Sequence, residues 1–215
     1  MKVKVCGMRE RANIEELIAL RPSFIGFIFY EKSPRYVGEV LDEEFVKSIP
    51  RGINKVGVFV NASPDYILSV VRQYDLQYVQ LHGSELPDFC RSIRQKGVNI
   101  IKAFLVDDHF NFAMLNNYKP YCDFFLFDTP GKHPGGNGAS FNWQLLKRYD
   151  NEKPFFLSGG VSLDNIDEIM ELSKSQRIYG VDINSKFETE PGVKDISQVK
   201  AFIQKLRPDE DEDEE

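Results

Sequence analysis

Two side chains of this sequence could form a proton-transfer pair. Cys6 follows a short apolar run and precedes a glycine, a position where a thiolate could face a ligand and take up a proton. Asp128 ends the aromatic run Phe124–Phe127, and a carboxyl group beside apolar side chains can serve as an acid. The alternative interpretation is that Cys6 is buried and inert, as we expect for Cys90 and Cys122, and that Asp128 caps a turn.

Gly159 and Gly160 indicate a phosphate site. They precede Ser162, which can begin a helix, and backbone amides beside a helix N-terminus can hold a phosphate group. Glycines at such a turn can also serve only a tight change of direction. Asn184 and Ser185 follow a later apolar run and can donate hydrogen bonds, so we include both in this candidate site.

The segment 129–142 contains four glycines and two prolines. Loops of this length in compact domains are usually functional, so the segment predicts a lid that closes over the site and excludes water. Phe141 and Trp143 would anchor the lid. The alternative is a disordered insertion.

The elements that would position these groups are short runs rich in β-branched and aromatic residues, separated by segments with helical spacing. Ser63, Ser84 and Ser162 mark three helix starts, because a hydroxyl group can cap backbone amides there. The eight strand-like runs are Val3–Cys6, Phe24–Phe29, Lys55–Val60, Tyr78–Leu81, Ile100–Val106, Phe124–Phe127, Pro154–Leu157 and Ile178–Ile183.

Strands that alternate with helices predict a parallel sheet covered by helices, an α/β fold. Eight strands with eight crossovers can close into a (β/α)8 TIM barrel or spread as an open doubly wound sheet, and the count favours the barrel. No G-x-G-x-x-G motif follows the first run, which argues against a dinucleotide-binding open sheet. In a barrel the functional groups gather where strands end, and at such positions Arg35 and His82 join the candidates.

The composition predicts one globular domain over residues 1–207, followed by an acidic tail at 208–215. The last seven of the 215 residues are all acidic, and without them 27 basic residues face 26 acidic ones. We therefore expect a disordered tail on a nearly neutral body, which offers no basic surface to nucleic acid. The sequence favours a monomer without deciding the oligomeric state.

The predicted location is the cytoplasm. The three cysteines have neither paired nor metal-like spacing, which favours a reducing compartment and predicts no metal site. No apolar run approaches the roughly 20 residues that cross a bilayer, so we expect no membrane partner.

Six motifs occur in the order found in one enzyme family. Together they resemble the phosphoribosylanthranilate isomerases of tryptophan biosynthesis, over nearly the whole chain up to the acidic tail. The motifs are Lys4-Val5-Cys6-Gly7-Met8, Ser33-Pro34-Arg35-Tyr36-Val37, Gln80-Leu81-His82-Gly83, Phe127-Asp128-Thr129 with Gly135-Gly136-Asn137-Gly138, Ser158-Gly159-Gly160-Val161, and Gly180-Val181-Asp182 with Pro191-Gly192-Val193-Lys194-Asp195.

The resemblance implies a (β/α)8 barrel that converts N-(5-phosphoribosyl)anthranilate to 1-(2-carboxyphenylamino)-1-deoxyribulose 5-phosphate by an Amadori rearrangement, without a cofactor. It also implies that Asp128 protonates the furanose ring oxygen and that Cys6 removes the proton at C2 of the opened Schiff base. Arg35 would pair with the anthranilate carboxylate, for which a guanidinium group is suited. The phosphate would lie on Gly159, Gly160, Asn184 and Ser185, and His82 would line the sugar site.

Two positions depart from the family pattern. Asn137 stands where the family usually has threonine, and Asn184-Ser185-Lys186 stands where it has Ser-Ser-Gly. Lys186 could attract the phosphate or lie in a solvent-facing turn. Two other interpretations stay open: another phosphate-binding barrel that acts as an isomerase or epimerase, and a non-catalytic barrel that binds a phosphosugar.

Overall fold

Eight parallel strands close into a barrel in chain order, with β8 paired to β1. The structure is a computed structural model and describes residues 1–38, 40–130 and 142–207. Each strand boundary lies within one residue of its predicted position, and the predicted (β/α)8 barrel is confirmed. The strands are β1 Lys2–Val5, β2 Phe24–Ile28, β3 Asn54–Phe59, β4 Tyr78–Leu81, β5 Asn99–Leu105, β6 Phe124–Asp128, β7 Phe155–Leu157 and β8 Ile178–Ile183.

Within the described residues, six α-helices lie outside the barrel. None of them combines the length and the apolar character that a membrane-spanning helix needs. In the crossovers after β5 and β6 the helical segments are 3-10 helices of six residues, Phe112–Asn117 and Trp143–Arg148. The α-helices are α1 Arg11–Ala19, α2 Glu43–Ser48, α3 Pro64–Tyr74, α4 Pro87–Arg94, α5 Ile166–Ser173 and α6 Ile196–Leu206.

Two of the three predicted helix starts agree with the structure. The Ser63 side chain accepts a hydrogen bond from a backbone amide of α3, and Ser162 forms a capping box with Asn165 before α5. The third predicted start, Ser84-Glu85-Leu86-Pro87, agrees only in part: Pro87 lies in the first turn of α4 as predicted, but Ser84 does not cap the helix, because the N-cap residue is Leu86. Ser84 instead donates its backbone amide to the side chain of Asn61, which joins the loops after β3 and β4.

The connection from β8 to α6 contains a small antiparallel hairpin. A 3-10 helix, Ser185–Phe187, leads into β9, Glu188–Glu190, which pairs with β10, Val193–Lys194. The hairpin places charged side chains next to the carboxyl ends of β1 and β8.

The barrel interior is apolar at one end and polar at the other. Strand register places Lys4 of β1 opposite Asp182 of β8, and Gln80 of β4 opposite Val58 of β3. The apolar layer lies toward the amino ends of the strands, so these polar groups lie on the side where the βα loops begin. The apolar layer consists of Phe24, Val56, Ile101, Ala103, Leu126 and Phe156.

Phe156 lies at the centre of the apolar layer. Its ring packs edge-on against Phe24, Phe124 and Tyr179, at centroid distances of 5.2, 5.5 and 5.4 Å. We expect Phe156→Ala to lower the free energy of unfolding by about 3–5 kcal/mol, because it leaves a cavity among rigid neighbours.

Urea unfolding measures this loss of stability, with Met170→Ala as the matched control. Met170 lies on α5 and is 39% exposed, so its truncation should change stability by no more than about 0.5 kcal/mol. Equal losses for the two variants would contradict the assignment of Phe156 to the core of the barrel.

Candidate active site

Cys6 follows β1 and points into the polar end of the barrel. The residue is only 4% exposed and packs against Ile28 and Val58. Gly26 of β2 provides the space for this side chain, since a Cβ atom there would lie 2.9 Å from the Cys6 sulfur and 3.3 Å from Lys4 Nζ. The thiol is therefore held in one place, next to a buried lysine.

Asp128 is the last residue of β6 and is 6% exposed. Its Oδ1 accepts a hydrogen bond of 2.8 Å from the Thr129 amide, and its Oδ2 lies 3.2 Å from His82 Nε2. The other ring nitrogen of His82, Nδ1, lies 2.7 Å from the Gln80 side-chain amide. The structure thus brings the predicted acid and the predicted sugar-site histidine into direct contact.

Asp182 lies between the predicted base and the predicted acid. Its Oδ1 accepts a hydrogen bond of 2.7 Å from Lys4, and its Oδ2 lies 3.5 Å from the Ser158 hydroxyl. The charges of Asp128 and His82 also act on this carboxylate. Cys6 and Asp128 therefore face one common interior, which also contains the ion pair of Lys4 with Asp182.

Burial dominates the electrostatics of this interior. It raises the pKa of the Cys6 thiol, and the ammonium groups of Lys4 and Lys194 oppose that shift without cancelling it. Burial also raises the pKa of Asp182, against the attraction of Lys4. For Lys4, burial by itself lowers the pKa, but Asp182 and Cys6 outweigh it, and the pKa of Lys4 lies above its ordinary value. Cys6 therefore rests as a thiol beside an ammonium ion at neutral pH.

Arg35 is buried in the loop after β2 and binds a carboxylate of its own chain. Its Nε and Nη2 donate to both oxygens of Glu188, at 2.6 to 3.0 Å. Lys194 binds the same carboxylate and also donates to Asn184 Oδ1 at 2.9 Å. Burial alone would raise the pKa of Glu188, but Arg35 and Lys194 outweigh it and hold that pKa below its usual range.

Gly159 and Gly160 form the turn after β7, both with positive φ values, of 79° and 72°. A Cβ atom on Gly159 would lie 2.2 Å from the Thr129 hydroxyl oxygen and 2.9 Å from Asp128 Oδ1. The absence of a side chain at 159 thus lets this turn lie directly against the predicted acid. Asn165 donates to the Gly160 carbonyl at 2.9 Å and fixes the turn at the start of the following helical segment.

Asn184 and Ser185 follow β8, as predicted. The side-chain oxygen of Asn184 faces Lys194 and lies 2.8 Å from the Cβ position of Gly7, the same position that contacts Arg35. Asn184 therefore borders the Arg35 side of the site, while Ser185 begins the 3-10 helix that follows.

Two predictions concern residues that the structure does not describe. The predicted lid with Asn137 and Phe141 lies almost wholly in 131–141, and the predicted acidic tail lies at 208–215. Trp143, the other proposed anchor of the lid, is 1% exposed at the start of its 3-10 helix. Among residues 1–38, 40–130 and 142–207, no three His, Cys, Asp or Glu side chains are grouped so as to hold a metal ion.

Comparison with known proteins identifies the family. The sequence profile of N-(5'-phosphoribosyl)anthranilate isomerase matches residues 3–205. The chain belongs to this family. The enzyme of that name from Parabacteroides distasonis is 42% identical over 207 residues, which cover 96% of this chain and 93% of the relative.

Solved structures agree with this family membership. The crystal structure of phosphoribosyl anthranilate isomerase from Thermotoga maritima has a TM-score of 0.83 and 32% identity, covering 97% of this chain and 99% of that one. Another isomerase structure, with a TM-score of 0.76, 29% identity and the same two coverages, contains reduced 1-(o-carboxyphenylamino)-1-deoxyribulose 5-phosphate.

The family membership confirms the predicted activity. The chain is an enzyme, a phosphoribosylanthranilate isomerase of tryptophan biosynthesis. This result decides against a different isomerase or epimerase and against a non-catalytic barrel.

Sequence reasoning assigned no role to four buried charged residues of the isomerase site. They are Lys4, Asp182, Glu188 and Lys194. Lys4 and Asp182 carried a signal, because each is a charged residue inside an apolar strand-like run, and Lys4 lies two residues before Cys6 and so on the same face of the strand. Glu188 carried no such signal, since 153 positions separate it from Arg35.

Gly159 offers a test of how closely the β7 turn must approach the predicted acid. We expect Gly159→Ala to lower isomerase turnover at least about tenfold, because the new methyl group overlaps Thr129 and displaces Asp128. Steady-state assays measure the turnover.

Gly97→Ala is the matched control for backbone strain. Gly97 also has a positive φ, of 82°, but a Cβ atom there meets open space. This control should cost about 1–2 kcal/mol of stability and leave turnover unchanged. Equal turnover in the two variants would show that the close approach at 159 is not needed.

Proposed function

We propose that Asp128 and Cys6 perform the two proton transfers of the isomerisation. Asp128 gives a proton to the furanose ring oxygen, the bond from C1 to that oxygen breaks, and the anilino nitrogen forms a Schiff base with C1. Cys6, which rests as a thiol and reacts in its thiolate form, takes the proton from C2. The electron pair of that C–H bond forms the C1–C2 double bond of an enaminol and neutralises the Schiff-base nitrogen. The enaminol becomes the C2 ketone when its O2 hydroxyl loses a proton and C1 gains one.

The observation that supports this proposal is the shared interior of the two groups. Both lie where a strand ends, with β7 and β8 between those two strands, and the ion pair of Lys4 with Asp182 joins β1 to β8. Because the reaction is an isomerisation, it consumes no net proton. The proton that Cys6 gains therefore balances the one that Asp128 loses, and exchange with solvent restores both groups.

We assign the anthranilate carboxylate to Arg35. Glu188 binds Arg35 through Nε and Nη2, which leaves the substrate the edge of the guanidinium group that carries Nη1. Lys194 adds a second buried cation to the same cluster. Glu188 neutralises one of these two positive charges, so the cluster favours a further anion.

We assign the phosphate to the turns after β7 and β8, as in many barrels of this fold. Gly159 and Gly160 offer backbone amides there, and Ser185 offers a hydroxyl group beside Asn184. His82 contacts Asp128 and would line the sugar between the two ends of the substrate.

We also propose that the protein is cytoplasmic and monomeric. The three cysteines are free in the structure, which is consistent with a reducing compartment. Size-exclusion chromatography with light scattering measures the oligomeric state.

Cys6→Ser and Asp128→Asn test the two proton-transfer roles. Each variant should lower turnover by about 10²–10⁴-fold, because it removes one general acid or base, while the fold and substrate binding persist. The loss of anthranilate fluorescence during turnover of freshly generated substrate measures the rate. Cys122→Ala is the control, since Cys122 is buried outside the site and should keep full turnover. Full activity of Cys6→Ser would end the proposal.

Arg35→Lys tests the carboxylate contact. A lysine cannot present a planar guanidinium edge while also holding Glu188, so we expect KM to rise at least about tenfold with a smaller change in kcat. Lys186→Met is the control, because it also removes a cation, but one near the phosphate turns. If Arg35→Lys left KM unchanged, the carboxylate would have to bind elsewhere.

A further inference from the structure

Lys4 is a buried charge that the proton transfers described above do not use. The residue is 0% exposed, and its ion pair with Asp182 lies inside the barrel. Removing a lysine from water is energetically unfavourable, and a buried ion pair contributes little net stability. A hydrophobic pair of similar volume would fill the same space, so the position calls for a reason beyond packing.

Lys4 lies next to Cys6 as well as next to Asp182. The two residues are two positions apart in β1 and Cys6 directly follows that strand, so their side chains point to the same side. A Cβ atom on Gly26 would lie 2.9 Å from the sulfur of Cys6 and 3.3 Å from Nζ of Lys4, so the thiol and the ammonium group border the same point of the barrel interior. The ammonium group therefore lies next to a thiol as well as binding a carboxylate.

We propose that Lys4 is a positioning residue for the isomerase reaction: its ammonium group stabilises the thiolate of Cys6, and Asp182 holds that ammonium group in place. The inference rests on the proposed role of Cys6 as the base. Lys4 provides Cys6 with an adjacent cation, which a buried thiol otherwise lacks and which favours the charged form of the thiol.

Several charged groups act on this thiol. Lys4 of β1 and Lys194 of β10 favour the thiolate, and Asp182 of β8 disfavours it. Asp128 and His82 act on Asp182 from the other side of the interior. Lys4 is the strongest of the favourable charges and borders the sulfur above Gly26, so its removal should dominate the change in the ionisation of Cys6.

The pH dependence of Cys6 alkylation tests this inference directly. Iodoacetamide reacts with the thiolate, and mass spectrometry of the Cys6 peptide separates this reaction from those of the two other cysteines. We expect Lys4→Met to move the alkylation midpoint upward by at least about one pH unit, because the thiolate loses its cation. At a fixed pH below both midpoints, the alkylation rate should then fall roughly tenfold.

A double variant removes a confounding effect of the single one. Lys4→Met alone leaves Asp182 buried without a counter-ion, which can impair folding. The combination of Lys4→Met with Asp182→Asn removes both charges and should fold. Its midpoint should also lie above that of the unaltered enzyme, since the favourable effect of Lys4 exceeds the unfavourable effect of Asp182.

Lys102 and Glu85 provide a matched control. They form a second buried ion pair, with Nζ and Oε2 3.2 Å apart and both side chains 2% exposed. Lys102 hydrogen-bonds the carbonyls of Leu81, Gly83 and Ala103 and does not contact Cys6. Lys102→Met with Glu85→Gln should therefore lower stability without moving the alkylation midpoint.

The outcomes separate this inference from the proposed function. An unchanged midpoint in the folded double variant, or an equal shift in the Lys102 control, would overturn the role of Lys4. An upward shift supports it. The pH profile of kcat/KM then tests Cys6 itself. If this profile shifts together with the alkylation midpoint, Cys6 is the base. If the alkylation midpoint shifts and the profile does not, Lys4 sets the ionisation of a thiol that is not the base.

Discussion

The isomerase site depends on a buried ion pair, Lys4 with Asp182, inside a closed barrel. Closure places β8 next to β1, and the register of that pairing sets Lys4 directly opposite Asp182. The distance from Lys4 Nζ to Asp182 Oδ1 is 2.7 Å. The same alternation of side chains that points Lys4 inward points Cys6 inward two residues later. A shift of one residue in β1 would turn both side chains toward the helices, so barrel closure and the chemistry of the site depend on one register.

A second set of charges lies around Glu188, and its ratio of positive to negative groups differs from that of the set around Lys4 and Asp182. In the first set one ammonium group binds a carboxylate and lies next to a thiol, whereas here one carboxylate binds two cations, Arg35 and Lys194. The first arrangement favours a thiolate within the barrel, and the second retains positive charge for an anionic substrate group. The low pKa of Glu188 keeps this cluster charged as the pH falls, since its carboxylate stays ionised below the usual range for glutamate.

The fold could be predicted almost completely from the sequence, but the contacts of the site could not. Runs of β-branched and aromatic residues locate each strand to within one residue, because strands buried on both faces leave a local apolar pattern. Cys6 and Asp128 could be found as candidates because strand ends are local features too. The partner of Arg35 lies 153 positions away in a hairpin with no strong pattern, and the partner of Lys4 lies 178 positions away. Barrel closure brings such pairs together, and no short stretch of sequence shows which residues will meet in this way.

The glycines of the site show how the backbone makes room for these charges. A Cβ atom at Gly7, Gly26 or Gly159 would come within 3 Å of Arg35, Cys6 or Asp128 respectively. Arg35, Cys6 and Asp128, which are proposed to bind or react with substrate, therefore each lie against a position that has no side chain. Close packing of this kind helps to fix the position of a buried thiol, carboxyl or guanidinium group. It adds to the polar contacts that Asp128 makes with Thr129 and His82 and that Arg35 makes with Glu188. The glycines in the motifs are therefore as specific a feature of the site as its charged residues.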